Sequence, residues 1–192
     1  MSGLYKNKYR TDSLRLPHWD YGWNGAYFVT ICTLDKNCHF GNVSNGEMAL
    51  NEIGLIARNL WMEIADRFPF VELGEYIVMP NHIHGIIIID KPDGDEVTPA
   101  VETRLIASLQ QALPTHSGGA TGRKNPMLHD NLFRVIRWYK GRTTFESRKV
   151  LPDFAWQPRF YDHIIRNDKS FQRISDYIID NPLNWAKDRF YR

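Results

Sequence analysis

The hydrophobic positions of the chain follow two different periods, and the changes between them divide it into predicted strands and helices. Short runs of β-branched and aromatic residues indicate strands, whereas apolar residues three and four positions apart indicate helices. The predicted strands are 26–34, 70–79, 82–90 and 154–166, and the predicted helices are 51–68, 131–149 and a closing helix within 169–185 that ends near Asn181, before Pro182.

The order of these elements predicts the fold. A β-α-β-β-α-β order followed by one more helix is typical of an α+β, ferredoxin-like fold, in which two helices cover one face of an antiparallel four-stranded sheet. Pro80 and Asn81, between the second and third strands, predict a tight hairpin. The additional C-terminal helix carries an apolar stripe through Phe171, Ile174 and Ile178, so we expect it to pack on the opposite face of the sheet.

Two segments fall outside this pattern. Residues 1–24 are polar and aromatic-rich and are interpreted as an N-terminal arm. Residues 91–131 are rich in glycine, proline and polar residues and are interpreted as a flexible insertion. A chain of 192 residues can bury a sizeable core, and we assign residues 1–192 to a single domain.

Composition and charge narrow the function classes only slightly. A formal net charge of +2 is too small to indicate a nucleic-acid partner, although basic residues outnumber acidic ones in 1–15 and 131–149. Cys32 and Cys38 form neither a disulfide framework nor a metal-binding motif, which favours a reducing compartment. No apolar run approaches the roughly 18 residues of a membrane span, and the polar N-terminus does not resemble a signal peptide. We therefore expect a cytoplasmic protein.

Two histidines, His82 and His84, interrupt the start of an apolar strand in the sequence "PNHIHGIII". Residues two apart in a strand point to the same side, so both imidazoles are expected to face the C-terminal helix, while Ile83 and Gly85 face the other two helices. A histidine pair at this spacing can bind a divalent metal ion. The alternative is that both are ordinary strand histidines whose nitrogens are satisfied in the core.

The C-terminal helix offers partners for such a pair. In "DYIIDNP", Tyr177 and Asn181 are four positions apart and therefore lie one turn from each other, beside the apolar stripe of the helix. A phenol can act as a nucleophile and an amide oxygen as a metal ligand. Alternatively, Tyr177 is an amphipathic packing residue, and Asn181 ends the helix before Pro182.

Three motifs in order, namely "PNHIHGIII", "WQPRFYDHIIRN" and "YIIDNP", resemble the single-tyrosine HUH transposases. They are most similar to the branch associated with repetitive extragenic palindromes (REP), the REP-associated tyrosine transposases. HUH stands for His, hydrophobic, His, here the triplet His82-Ile83-His84. The resemblance covers nearly the whole chain apart from the insertion, and it implies a ferredoxin-like core whose additional C-terminal helix carries the nucleophile.

By this resemblance, His82, His84 and Asn181 bind Mg²⁺ or Mn²⁺, and Tyr177 is the nucleophile. The implied protein is a metal-dependent endonuclease and strand transferase that acts on single-stranded or hairpin DNA. It would cut at hairpin-flanked sites through a 5′-phosphotyrosine intermediate, without ATP, as a monomer or homodimer. Two imidazoles with an amide oxygen suit Mn²⁺ better than Mg²⁺, which prefers oxygen ligands.

Basic and aromatic residues are interleaved on the 131–149 helix and in the arm, a combination that suits phosphate contacts and base stacking. We expect the helix to contact phosphates and the arm to provide sequence-specific contacts. The predicted DNA-binding residues are Arg10, Arg15, Trp19, Arg134, Arg137, Trp138, Lys140 and Arg142.

Three other functions fit parts of the sequence. A domesticated protein would bind hairpin DNA without cutting it, but it would not need His82, His84, Tyr177 and Asn181 together. A small zinc hydrolase would need a third ligand or a base, and the sequence shows no Glu or Asp near the two histidines suited to either role. An RNA-recognition module shares the topology, but its Gly/aromatic strand signature is missing.

Overall fold

The computed structural model describes residues 19–92 and 129–191. Most of the predicted arm and most of the predicted insertion therefore lie outside the described residues. None of the helices in the described ranges combines the length and the apolar composition needed to cross a membrane. The strands are β1 (Gly25–Cys32), β2 (Gly41–Ser44), β3 (Glu47–Leu50), β4 (Val71–Met79), β5 (His82–Ile89) and β6 (Tyr161–Ile165), and the helices are α1 (Glu52–Arg67), α2 (Leu132–Ser147) and α3 (Asp168–Ile179).

Four strands form one antiparallel sheet in the order β4-β5-β1-β6, and β2 and β3 form a separate hairpin. Pro80 and Asn81 make the tight turn between β4 and β5, so that Met79 pairs with His82. Strand order and element order together are those of the ferredoxin-like fold, with α3 as an additional helix. The predicted fold class is therefore confirmed.

One face of the sheet is covered by α1 and α2 and forms the main core. Asn51 caps α1 by accepting a hydrogen bond from Gly54 N–H at 2.9 Å. Trp61 of α1 is fully buried against Gly85 of β5, where an added Cβ would come within 2.3 Å of the indole ring. Only glycine lets the helix approach the strand this closely. Other members of this core are Val29, Ile83, Ile87, Val135, Ile136 and Tyr139.

The opposite face of the sheet is covered by α3, as the sequence predicts. Ile174 and Ile178 of this helix pack against Ile86 of β5 in a second, smaller cluster. The helix ends at Ile179, shortly before Pro182. Proline has no backbone N–H to donate, and inside a helix its ring would clash with the carbonyl group four residues earlier. The central strand β5 thus supplies alternate residues to two different layers.

The structure departs from the predicted strands in two places. The hairpin of β2 and β3 is absent from the sequence prediction because each strand has only four residues and no fully buried side chain. The predicted strand 154–166 is wrong in its first half, since a continuous strand begins only at Tyr161. Arg159 has a left-handed backbone (φ 68°), and Trp156 pairs with Thr33 in an isolated bridge instead.

Candidate active site

The His-hydrophobic-His triplet occupies the first residues of β5. In the register with β1, His82 lies opposite Cys32 and His84 opposite Thr30. Both imidazoles are enclosed, with 0% and 1% of their residue surface exposed, and their ring centroids are 4.4 Å apart. Ile83, between them, belongs to the core under α1 and α2. The predicted division of side chains between the two faces is therefore confirmed.

Asn81 fixes the orientation and the tautomer of His82. Its Nδ2 donates to the backbone oxygens of Lys36 and Phe190, at 3.0 and 2.8 Å, so its Oδ1 remains as an acceptor. That oxygen lies 2.9 Å from His82 Nδ1, which must therefore carry the proton. The lone pair is then on Nε2, a buried atom without a hydrogen-bond partner among the described residues. Metal-binding histidines have this arrangement, with the second ring nitrogen held by a hydrogen bond.

His84 is held between β1 and α3. Its Nδ1 lies 2.9 Å from Thr30 Oγ1, and its Nε2 lies 3.2 Å from Tyr177 Oη. The phenol oxygen is thus within hydrogen-bond reach of the imidazole, while 45% of the tyrosine surface stays exposed. Partial burial, followed by the negative charge of Asp188, raises the pKa of Tyr177, so the resting phenol is protonated.

Burial keeps the two imidazoles neutral. Desolvation, together with the positive charges of Arg189 and Lys36, lowers the pKa of His82 to about 3. Burial, and then the neighbouring imidazole of His82, hold the pKa of His84 well below its ordinary value. A neutral imidazole has the free lone pair that a metal ion requires, so both histidines can act as metal ligands at neutral pH without losing a proton.

Asn181 and Asp188 complete the group from the chain that follows α3. Asn181 is 2% exposed, and its Nδ2 donates to Asp188 Oδ2 at 3.2 Å. Its Oδ1 is buried and has no hydrogen-bond partner within the described ranges. His82, His84 and Asp188 each offer a ligand atom within 4.8 Å of the other two, the only such group of three in residues 19–92 and 129–191. Orphaned acceptors beside such a group fit a divalent cation.

The expectation that no acidic residue accompanies the two histidines is wrong. The chain after α3 folds back over β5, and the rings of Trp185 and Phe190 pack against His82, with centroids 5.9 and 4.6 Å away. Both aromatic residues are buried, and Asp188 lies between them in sequence. This segment shows no strand or helix period that could have placed its carboxylate beside the histidines from sequence alone.

Two cations border the site. Lys36 Nζ lies 4.9 Å, and Arg189 Cζ 4.6 Å, from the centroid of the Phe190 ring, which itself packs on His82. An aromatic face attracts cations at these distances, so the ring holds both charges beside the imidazoles. An approaching phosphate would meet positive charge at this edge of the site. Neither residue is among those predicted from the sequence.

The predicted DNA-binding residues on α2 lie on the other face of the sheet, so the structure does not bring them together with the histidines. Lys140 is engaged locally, since its Nζ donates to the backbone oxygens of Gln157 and Arg159 at 2.8 and 2.9 Å. Arg137 is exposed, whereas Trp138 packs edge-on against Phe68, with 5.7 Å between the ring centroids. The other two arginines form salt bridges within the helix region, Arg134 with Asp130 and Arg142 with Glu146 at 3.4 Å.

The three predicted DNA contacts of the arm divide between the described and the other residues. Trp19 is partly buried, and its Nε1 donates to Tyr27 Oη at 3.2 Å. Arg10 and Arg15 lie outside the described residues. A role in DNA binding stays a prediction for all three.

Three relatives resemble the chain over much of its length, although no family model matches it. A Haemophilus influenzae protein described only as uncharacterized is 35% identical over 180 residues, which are 93% of this chain and 92% of that protein. Another H. influenzae protein, assigned by name to the REP-associated tyrosine transposases, is 22% identical over 182 residues, or 90% of this chain and 84% of its own. The REP-associated tyrosine transposase of Escherichia coli is 27% identical over 121 residues, covering 62% of this chain and 49% of that protein.

A solved structure has the same fold. It is that of a REP-associated tyrosine transposase bound to a REP hairpin, and the match covers 89% of this chain and 74% of that one. The TM-score is 0.53 at 20% sequence identity, a level at which the likeness establishes the fold alone. The named relatives, the shared fold and the HUH and tyrosine motifs agree. The chain belongs to the family of REP-associated tyrosine transposases.

Proposed function

We propose that this chain is a metal-dependent single-stranded DNA endonuclease and strand transferase, which acts at hairpin-flanked sites through a 5′-phosphotyrosine intermediate. The observation that carries the proposal is the 3.2 Å contact between Tyr177 Oη and His84 Nε2, beside the unpartnered Nε2 of His82 and Oδ1 of Asn181. A half-exposed nucleophile and lone pairs suited to a cation thus converge on one edge of the sheet. The names of the relatives, and the hairpin in the solved structure, support DNA as the substrate.

In this proposal His82, His84 and Asn181 hold Mg²⁺ or Mn²⁺. Their fit to a cation rests on the two orphaned acceptor atoms, since leaving such an atom buried and unpaired costs about 1–3 kcal/mol. When bound, a divalent cation would offset the negative charge that grows on the scissile phosphate and would favour in-line attack. The mixed nitrogen and oxygen donors favour Mn²⁺ over Mg²⁺.

Tyr177 supplies the nucleophile. Its oxygen forms a bond to phosphorus while the bond from phosphorus to the 3′-oxygen breaks, and the leaving oxygen takes up a proton to become a free 3′-hydroxyl. The phenol must lose its own proton, and the positive charge of Arg189 lowers the pKa of Tyr177 against the effect of burial. The phosphotyrosine keeps the energy of the broken bond, so a 3′-hydroxyl can attack it, release the phenol and reseal a strand without ATP.

Adduct formation on DNA tests this function. The substrate is a pool of single-stranded hairpins with randomised flanks, labelled at the 3′ end because the tyrosine would stay attached to the 5′ phosphate of the 3′ fragment. With Mn²⁺ or Mg²⁺, the parent chain should give a labelled covalent band on a denaturing gel. Tyr177→Phe and added chelator should each abolish that band, because the first removes the nucleophile and the second the cation.

Tyr161→Phe is the matched control, since Tyr161 is 42% exposed and lies on the neighbouring strand β6. This variant should form the adduct as the parent does. Binding of the hairpins without any adduct would instead support the alternative, a domesticated protein that binds hairpin DNA without cutting it. The contacts proposed for Arg10, Arg15 and the basic residues of α2 concern DNA affinity, so the adduct assay does not test them.

A further inference from the structure

We propose that Asp188 is itself a ligand of the metal ion, so that the ligand set consists of His82, His84, Asn181 and Asp188 and contributes one negative charge. This inference rests on the proposed function and extends its ligand set. The ligand atoms of the aspartate and the two histidines lie within 4.8 Å of one another. Ligands around a cation bound at about 2.1 Å lie roughly 3 Å apart, so these three side chains need to move only a short distance inward to contact one ion.

The segment that carries Asp188 holds its carboxylate in place. Asp188 N–H donates to Trp185 O at 2.9 Å, at the end of the short 3₁₀ turn Trp185–Lys187. Its Oδ1 accepts from Phe190 N–H at 2.7 Å, which orients the side chain. The other oxygen, Oδ2, faces the Asn181 amide at 3.2 Å. The aspartate is therefore anchored by one oxygen and presents the second to the residues that would bind the cation.

The balance of charge around the site favours a direct ligand. His82, His84 and Asn181 are neutral donors, whereas Lys36 and Arg189 lie on the Phe190 ring beside His82. A dication held only by neutral ligands would be repelled by both neighbouring cations. A carboxylate among its ligands offsets that repulsion at the shortest distance available.

The same contacts allow a lesser role, in which Asp188 only orients the Asn181 amide through its Nδ2. The two roles differ in their dependence on charge. An asparagine at position 188 has only one acceptor oxygen, which can still accept from Asn181 Nδ2 once the bond from Phe190 N–H is given up, and it carries no charge. Asp188→Asn therefore removes an anionic ligand while it keeps the acceptor that orientation requires.

Mn²⁺ affinity measured without DNA separates these roles. The full chain is titrated with Mn²⁺ at pH 7, and the free ion is followed by its electron paramagnetic resonance signal. Asp188→Asn should weaken binding at least about tenfold, because it removes the one anion in direct contact with the cation. The control is Asp180→Asn, which removes the same charge from an exposed residue at the end of α3 and should change affinity by less than about twofold.

His82→Ala separates failure of this inference from failure of the proposed function. If this variant loses Mn²⁺ while Asp188→Asn binds it as the parent does, the histidine centre stands and Asp188 is not a ligand. If His82→Ala binds Mn²⁺ as the parent does, the metal centre itself is wrong and the inference falls with it. Circular dichroism melting of each metal-free variant checks folding. Should Asp188→Asn fail to fold, Asp188→Ser is compared with the parent in an Asn181→Ala background, where no Asn181 amide remains to be oriented. A further loss of Mn²⁺ affinity there would support a direct ligand, and an unchanged affinity would overturn the inference.

Discussion

The two faces of the central sheet are built from the same strands but are completed in different ways. Under α1 and α2, β5 contributes Ile83, Gly85 and Ile87, and the space above them is filled by apolar and aromatic side chains. On the opposite face, the first residues of the same strand contribute His82 and His84, and the acceptor atoms His82 Nε2 and Asn181 Oδ1 have no hydrogen-bond partner among the described residues. Alternation along one strand thus separates the part of the molecule that holds the fold from the part that carries the chemistry.

An unpartnered buried atom does not by itself distinguish the two faces. Trp61 Nε1, under the helices α1 and α2, has no hydrogen-bond partner in the described part of the chain either. An indole N–H can only donate, so it cannot bind a cation. His82 Nε2 and Asn181 Oδ1 are acceptors, and they lie beside the imidazole of His84 and the carboxylate of Asp188. The convergence of several lone pairs, rather than a missing partner, marks the site.

The largest expected effect comes from breaking the filled face. Trp61→Ala removes a fully buried indole that packs on Gly85 and on the rings of Tyr76 and Tyr139. The cavity and the lost apolar contact should lower the free energy of unfolding by about 3–5 kcal/mol. Urea unfolding followed by circular dichroism measures this change. Phe145→Ala, at a 60% exposed position on α2, should lower it by less than about 1 kcal/mol. A loss as small for Trp61→Ala would mean that this face is not what stabilises the fold.

The filled face is also the part that the sequence predicts best. Apolar residues at helical spacing between Asn51 and Phe68, and β-branched runs in the strands, report directly on burial. That His82 and His84 share one face of the sheet follows from the period of a strand alone. Likewise, the four-residue spacing of Tyr177 and Asn181 places both on one side of α3. Together with the predicted packing of α3 on the sheet, these periods place His82, His84, Tyr177 and Asn181 in one layer of the fold.

The remaining parts of the site depend on contacts that no local period encodes. Asp188 lies beside the histidines because Trp185 and Phe190, in the segment after α3, are buried against His82. Lys36 contacts the Phe190 ring from the segment after β1. Its backbone is left-handed (φ 56°), a conformation that the sequence does not predict. A residue's type and spacing predict an element, but tertiary packing decides which irregular segments meet.

A smaller effect is expected when the pH is lowered below 7, because the buried His82 makes the free energy of unfolding depend on pH. Burial and nearby cations lower the pKa of His82 to about 3 in the folded chain, whereas an unfolded histidine titrates near 6.5. Between these values the unfolded state binds a proton that the folded state does not, so stability falls as the pH falls. From pH 7 to pH 5, His82 should account for a loss of about 2 kcal/mol. Urea unfolding at both pH values, with chelator present, measures it.

His82→Gln tests whether this residue causes the loss. The variant should show a smaller difference between the two pH values, because glutamine has no proton to gain. His163→Gln, which removes an exposed imidazole from β6, controls for the loss of a histidine as such and should keep the parent's difference. An equal difference in the parent and in His82→Gln would show that burial of this imidazole is not linked to stability.

The smallest effect on stability comes from deleting one hydroxyl on each face, and it is the most discriminating. Tyr139 Oη, fully buried, donates to the backbone oxygen of Ala57 at 2.9 Å, so Tyr139→Phe should cost about 1 kcal/mol of unfolding free energy. Tyr177 is half-exposed and water can replace its hydroxyl, so Tyr177→Phe should cost about 0.5 kcal/mol or less. Urea unfolding and the DNA adduct assay, run on both variants, should give opposite orders. The variant with the larger loss of stability should keep the adduct, and the other should lose it. Equal adduct formation by both would place the nucleophile elsewhere, and loss of the adduct in both would mean that folding, not Tyr177, limits the assay.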